Sequence, residues 1–82
     1  MNTFFVLMAK YGPEVMIPSE IVAKDWFGLE KSKFNEKVRN GDIALPIMRM
    51  ENSQKSPRGV HILDLVEYLD KRRDEARTLR RG

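Results

Sequence analysis

SEIVAKDWFGLEKSKFNEKVRNG, residues 19–41, decides how this chain folds. Ser19 follows Pro18 and suits the N-cap of a helix. Ile21, Val22, Trp26 and, less regularly, Phe27 then recur at helical spacing, which makes them the buried face of a helix over Ser19–Phe27. Gly28 supplies a left-handed stop. Glu30 suits the start of a second helix, Phe34 and Val38 lie four apart on one side of it, and Gly41 ends it, which sets its span at Glu30–Asn40. Two short helices across a glycine turn, too short to persist unless packed on each other, outline a helix-turn-helix.

Working outward, residues 43–50 alternate Ile43, Leu45, Ile47 and read as a strand, with Pro46 confining it to an edge or to a start after the proline. Glu51–Gly59 is polar throughout and rich in turn formers, and Val60-His61-Ile62 resumes the apolar pattern. Strand, basic loop and strand make a β-hairpin with a long tip. Asp64 and Glu67 resemble a capping box, and Leu65, Val66, Tyr68 and Leu69 form the apolar stripe of a last helix over about Leu63–Arg77, whose final turns are polar and expected to fray. On the N-terminal side, Thr3–Tyr11 is nearly all apolar. Asn2 or Thr3 can cap it and Gly12-Pro13 stops it, so it reads as a helix, with a strand as the alternative, followed by an extended Val15-Met16-Ile17. The sum is a single α+β domain over residues 1–82, a small winged helix-turn-helix with a two-stranded hairpin wing and a C-terminal helix, residues 71–82 forming an exposed basic tail.

With 82 residues the chain allows one thin-cored domain. It has no cysteine and one histidine, which excludes a disulfide framework, a thiol nucleophile and a His-paired metal site and leaves no basis for a His-centred triad. No enzyme activity and no cofactor are expected. The run Phe4–Ala9 is too short to cross a bilayer and lacks a basic leader, so no membrane partner is expected and a cytoplasmic location is. The net charge of +3 is unevenly spread: residues 31–58 hold seven basic side chains against three acidic and residues 71–82 six against two, while residues 1–30 and 59–70 are net acidic. Such a pattern suits a one-sided face for a polyanion.

On the second helix, Ser32, Asn35, Glu36 and Arg39 point away from Phe34 and Val38, with Lys33 at the edge. Arginine favours guanine, asparagine adenine, and glutamate can accept from cytosine, whereas Lys31, Lys33 and Lys37 suit phosphates. The expected recognition-helix residues are therefore Lys31, Ser32, Lys33, Asn35, Glu36 and Arg39. Those of the wing are Arg49, Ser53, Gln54, Lys55, Ser56 and Arg58, a narrow cationic loop for a minor groove or a phosphate rail. The other conspicuous side chains are given structural roles: His61 in wing packing, Asp64 and Glu67 in capping, Trp26 and Phe27 in the core, and Met8, Met16, Met48 and Met50 as filling for an irregular core.

Residues 17–73 resemble AlpA-like and excisionase-like winged-helix proteins. The whole chain is similar to the pyocin activator (PrtN) family through Phe5, Leu7-Met8-Ala9, Tyr11, Ile17-Pro18, Phe27-Gly28, Phe34, Gly41, Ser53-Gln54-Lys55-Ser56, Val60-His61, Asp64-Leu65, Tyr68-Leu69-Asp70 and Arg72-Arg73. That resemblance implies a prophage-encoded DNA-binding activator of transcription without cofactors. The expected partner is double-stranded DNA, with RNA polymerase and a second copy of the chain as further candidates. Two alternatives stand beside it: an excisionase-like architectural factor that bends DNA, and an adaptor that binds a repressor or polymerase through Phe4, Phe5, Met8 and the last helix.

Overall fold

The computed structural model describes residues 2–53 and 55–81, with side chains up to Leu79. In chain order the elements are α1 (Thr3–Tyr11), β1 (Met16–Pro18), α2 (Ser19–Val22) running into a π-helical turn (Ala23–Phe27), α3 (Lys31–Arg39), β2 (Met48–Arg49), β3 (Arg58–His61) and α4 (Ile62–Arg81). The architecture is a small α+β domain. Its three-stranded antiparallel sheet, in the order β1-β3-β2, pairs Ile17 with Val60, Met48 with Gly59 and Arg49 with Arg58. The expected two-stranded hairpin is present as β2–β3, and β1 adds the third strand.

The core is Leu7, Ile17, Val22, Ala23, Phe34, Ile43, Leu45, Val60, Ile62 and Leu65, drawn from every layer. α2 holds it together by packing on α3, on β1 and on β3. The π turn changes which aromatic enters. In an unbroken α-helix Trp26, four residues after Val22, would share its face. The wider turn, with i→i+5 bonding, instead brings Phe27 around. Its ring centroid lies 5.3 Å from that of Phe34 and 5.7 Å from that of Tyr68, which ties the turn to α3 and α4. Ile21 and Trp26 are left 41 and 36% exposed. The expected Ile21/Val22/Trp26 face is thus corrected to Val22, Ala23 and Phe27. Gly28, at φ 63°, closes the turn in the left-handed region.

Exposed Trp26 still has work. Its Nε1 donates to the Tyr11 hydroxyl (2.7 Å), which donates to Asp25 Oδ2 (3.0 Å), and Lys10 Nζ lies 3.7 Å from that same oxygen. The chain of bonds fastens the C-terminal end of α1 to the π turn. Burial, then the hydrogen bond to Asp25, push the Tyr11 phenol up to about 12, so the group is neutral wherever the protein is folded at ordinary pH. The other end of α1 is capped by Asn2, which accepts from the Phe4 N–H at 2.8 Å, and Thr3 Oγ1 donates to Asp70 of α4 at 2.6 Å.

Three further expectations are narrowed or revised. Of the two forms expected around Pro46 the structure has the later start: residues 43–47 form no ladder, Ile43 and Leu45 alternating into the core and Pro46 having no N–H to give, and the strand is Met48–Arg49. α4 is capped by His61, whose Nδ1 accepts from the Leu63 N–H at 3.0 Å, so Asp64 stands inside the first turn rather than at the cap. The helix also runs on to Arg81, with residues 70–79 exposed and an Arg72–Glu75 ion pair at 3.3 Å on its outer part.

Ser19 is the first residue of α2, not its cap. It is 2% exposed, and its hydroxyl has no hydrogen-bond partner. Ser19→Ala is therefore expected to leave stability unchanged or raise it by up to about 1 kcal/mol in urea unfolding, where loss of a cap would lower it by a similar amount. Gly59 gives the opposite case. A Cβ there would stand 2.5 Å from the Ile17 carbonyl oxygen and 2.7 Å from Met16 Cγ, so β1 must move to admit it. Gly59→Ala should cost about 2–3 kcal/mol in the same measurement.

Candidate nucleic-acid interface

α3 presents its polar side outward because Phe34 is fully buried and Val38 half-buried on the other. Lys31, Ser32, Lys33, Glu36 and Arg39 are exposed, and Asn35 and Lys37 half-buried. Asn35 and Glu36 lie three and four residues after Ser32, and Arg39 four and three after them, so the four form one stripe along the helix. Lys33 Nζ lies 3.5 Å from Glu36 Oε2, an exposed pair worth little on its own, which leaves that carboxylate matched by a cation on the same face. Among the described residues Lys31, Lys37 and Arg39 make no ion pair.

The hairpin carries the second basic group. Arg49 and Arg58 stand directly opposite each other in the ladder, so their side chains leave the same face of the sheet. Arg58 and Val60, two apart, also share that face, which is the one bearing the core residues Val60 and Ile17. Like charges directly opposite are unfavourable, and no carboxylate among the described residues pairs with either guanidinium. Lys55 is exposed at the tip. Gln54 lies outside the described residues.

The loop between them is built by serines. Ser56 is 7% exposed, and its hydroxyl accepts from the Glu51 N–H at 2.8 Å. Its own N–H donates to the Ser53 carbonyl at 3.1 Å, and the Ser53 hydroxyl accepts from the Lys55 N–H at 3.1 Å. Ser56 is turned inward to shape the loop, while Ser53, exposed, also spends its hydroxyl on the backbone. The two basic groups are joined through α2, which packs on both α3 and β3.

Sequence reasoning found the cations but missed that two of them are partners. The register that pairs them follows from where the loop begins and ends, which the polar run Glu51–Gly59 does not mark. Among the described residues no group of three or more acidic or histidine side chains is placed to hold a metal, and no helix is long and apolar enough to cross a membrane. Replacing Ser56 by alanine leaves the Glu51 N–H without its acceptor. Ser56→Ala is expected to lower stability by about 1 kcal/mol and to speed hydrogen exchange at the Glu51 amide, read by NMR.

Compared with known proteins, the chain matches the family model described as pyocin activator protein PrtN over residues 3–76. No curated protein and no solved structure matches it. The match spans α1, the sheet, the two packed helices and most of α4. On that coverage, the chain belongs to the pyocin activator family of regulatory proteins.

Proposed function

We propose that the chain is a sequence-specific double-stranded DNA-binding regulator that activates transcription, and that its fold works as a winged helix-turn-helix. α3 enters the major groove, with Ser32, Asn35, Glu36 and Arg39 addressing base edges and Lys31 and Lys33 the flanking phosphates. The β2–β3 hairpin is the wing, with Arg49, Lys55 and Arg58 lying along the neighbouring backbone or groove. Ser53 and Ser56 hold the wing in shape.

The observation that carries this reading is the facing pair Arg49–Arg58. A protein does not gain stability by setting two unneutralised guanidiniums opposite each other, whereas a phosphate between them would be gripped from both sides. The polar stripe of α3, with exposed Lys31, Lys33 and Arg39 on the same helix, supports the same conclusion, as does membership of a family of activators. A helix suits the major groove in width, and a single module of this size makes a small interface whose affinity is dominated by phosphate contact.

Fluorescence anisotropy with selected and random duplexes over a salt series tests it. Arg39→Ala should relax base preference at one position and cost about 1–3 kcal/mol on the selected site. Lys55→Ala should weaken every duplex alike and reduce the salt slope by about one. An anisotropy that does not rise with any duplex at low salt rules out the reading and favours an adaptor that meets protein alone.

A further inference from the structure

α1 has one side packed and one side bare. Leu7 is buried and Phe4 and Tyr11 pack beside it, while Phe5, Val6 and Met8 are 64, 45 and 38% exposed and Ala9 is exposed between them. No charged side chain occurs from Asn2 to Ala9, in a chain of which 33% of residues are charged. The packing partner of α1 is α4, and its far end is fastened to Asp25 and Trp26, so neither α3 nor the hairpin is a main partner of this helix.

We propose that this face is where two copies of the chain meet when both are held on one duplex, related by a two-fold axis that passes between their two α1 helices, level with the middle of each. The inference rests on the duplex-binding reading above. Three observations select a second copy. A charged partner finds nothing to pair with on the face, whereas an apolar face matches itself across a two-fold axis. Thr3, Val6 and Lys10 lie along one edge of the helix at three- and four-residue steps, and an antiparallel pairing sets Lys10 of each copy against the Thr3–Asp70 edge of the other, cation toward carboxylate. The area also decides when they meet. The exposed parts of Phe5, Val6 and Met8 offer each copy on the order of 200–300 Å², against about 800 Å² per partner in a stable complex. Contact of that size is too weak free in solution and becomes effective when a shared duplex raises the local concentration.

The chain contains no cysteine, so a single introduced thiol reports the contact without background. Val6→Cys is placed at the proposed axis; Leu79→Cys, at an 80% exposed position near the end of α4, is the control. Each is oxidised mildly alone, with a random-sequence duplex of about 12 base pairs and with one of about 40, roughly four helical turns. A disulfide-linked pair is expected for Val6→Cys on the long duplex only, without a matching yield for Leu79→Cys. Phe5→Asp is expected to weaken binding to the long duplex about fivefold to tenfold while leaving the short one unchanged. Binding to the long duplex, seen as an anisotropy rise, with no Val6→Cys disulfide overturns the pairing and leaves the duplex reading intact. Equal linkage of both variants, or equal linkage of Val6→Cys without duplex, also overturns it. No anisotropy rise on either duplex fails the duplex reading itself and the pairing with it.

Discussion

The packing of Phe27 between Phe34 and Tyr68 is the constraint on which the rest of the domain depends. One ring joins the π turn to α3 on one side and to α4 on the other. Tilted aromatic pairs at such distances contribute about 0.5–1.5 kcal/mol each beyond the area they bury, a large share of what an 82-residue domain has to spare. The direction in which α3 offers Ser32, Glu36 and Arg39 follows from this contact. Phe34 cannot leave it, and the polar stripe is whatever lies on the far side of Phe34.

The π turn is what lets that ring arrive. It costs regular helical hydrogen bonding over Ala23–Phe27, and the loss is offset at both ends: Gly28 closes the turn, with the Leu29 N–H on the Ala23 carbonyl at 3.0 Å, and the displaced Trp26 ties down Tyr11. The same local event therefore sets the core, aims α3 and anchors α1. The hairpin is fixed separately, by Gly59 letting β1 approach β3 and by Ser56 folding the loop back on Glu51.

Much of this was legible in the residues. Glycines at 12, 28 and 41 marked three helix ends correctly, and Phe34 with Val38 gave the right inner face for α3, because those signals are local. Trp26 was misplaced because helical periodicity assumes an even 3.6-residue turn, and nothing in Ala23–Phe27 announces an inserted residue. Ser19 looked like a cap, but the turn from β1 is so tight that Pro18 already occupies that position. The capping role of His61 was hidden by its place at the end of a strand, whereas the late start of β2 after Pro46 was legible in the proline itself. Lys31, Lys33 and Arg39 are exposed on α3 and Lys37 is half-buried, while Ser56, equally polar, proved buried because a short loop needs acceptors for its own amides.

α4 has a consequence of its own. Twenty residues make a rod about 30 Å long, as long as the middle dimension of the whole molecule, yet only its first two turns or so touch the core. The outer part alone, residues 70–81, would be marginal in water, because the first turn is costly to form while each later residue adds to it cheaply. The packed segment from Ile62 to Leu69, with His61 at its head, supplies that first turn ready-made. The outer half then exists by propagation, as a rigid spar carrying its arginines beyond the body of the domain, and it would melt if severed from the segment that seeds it.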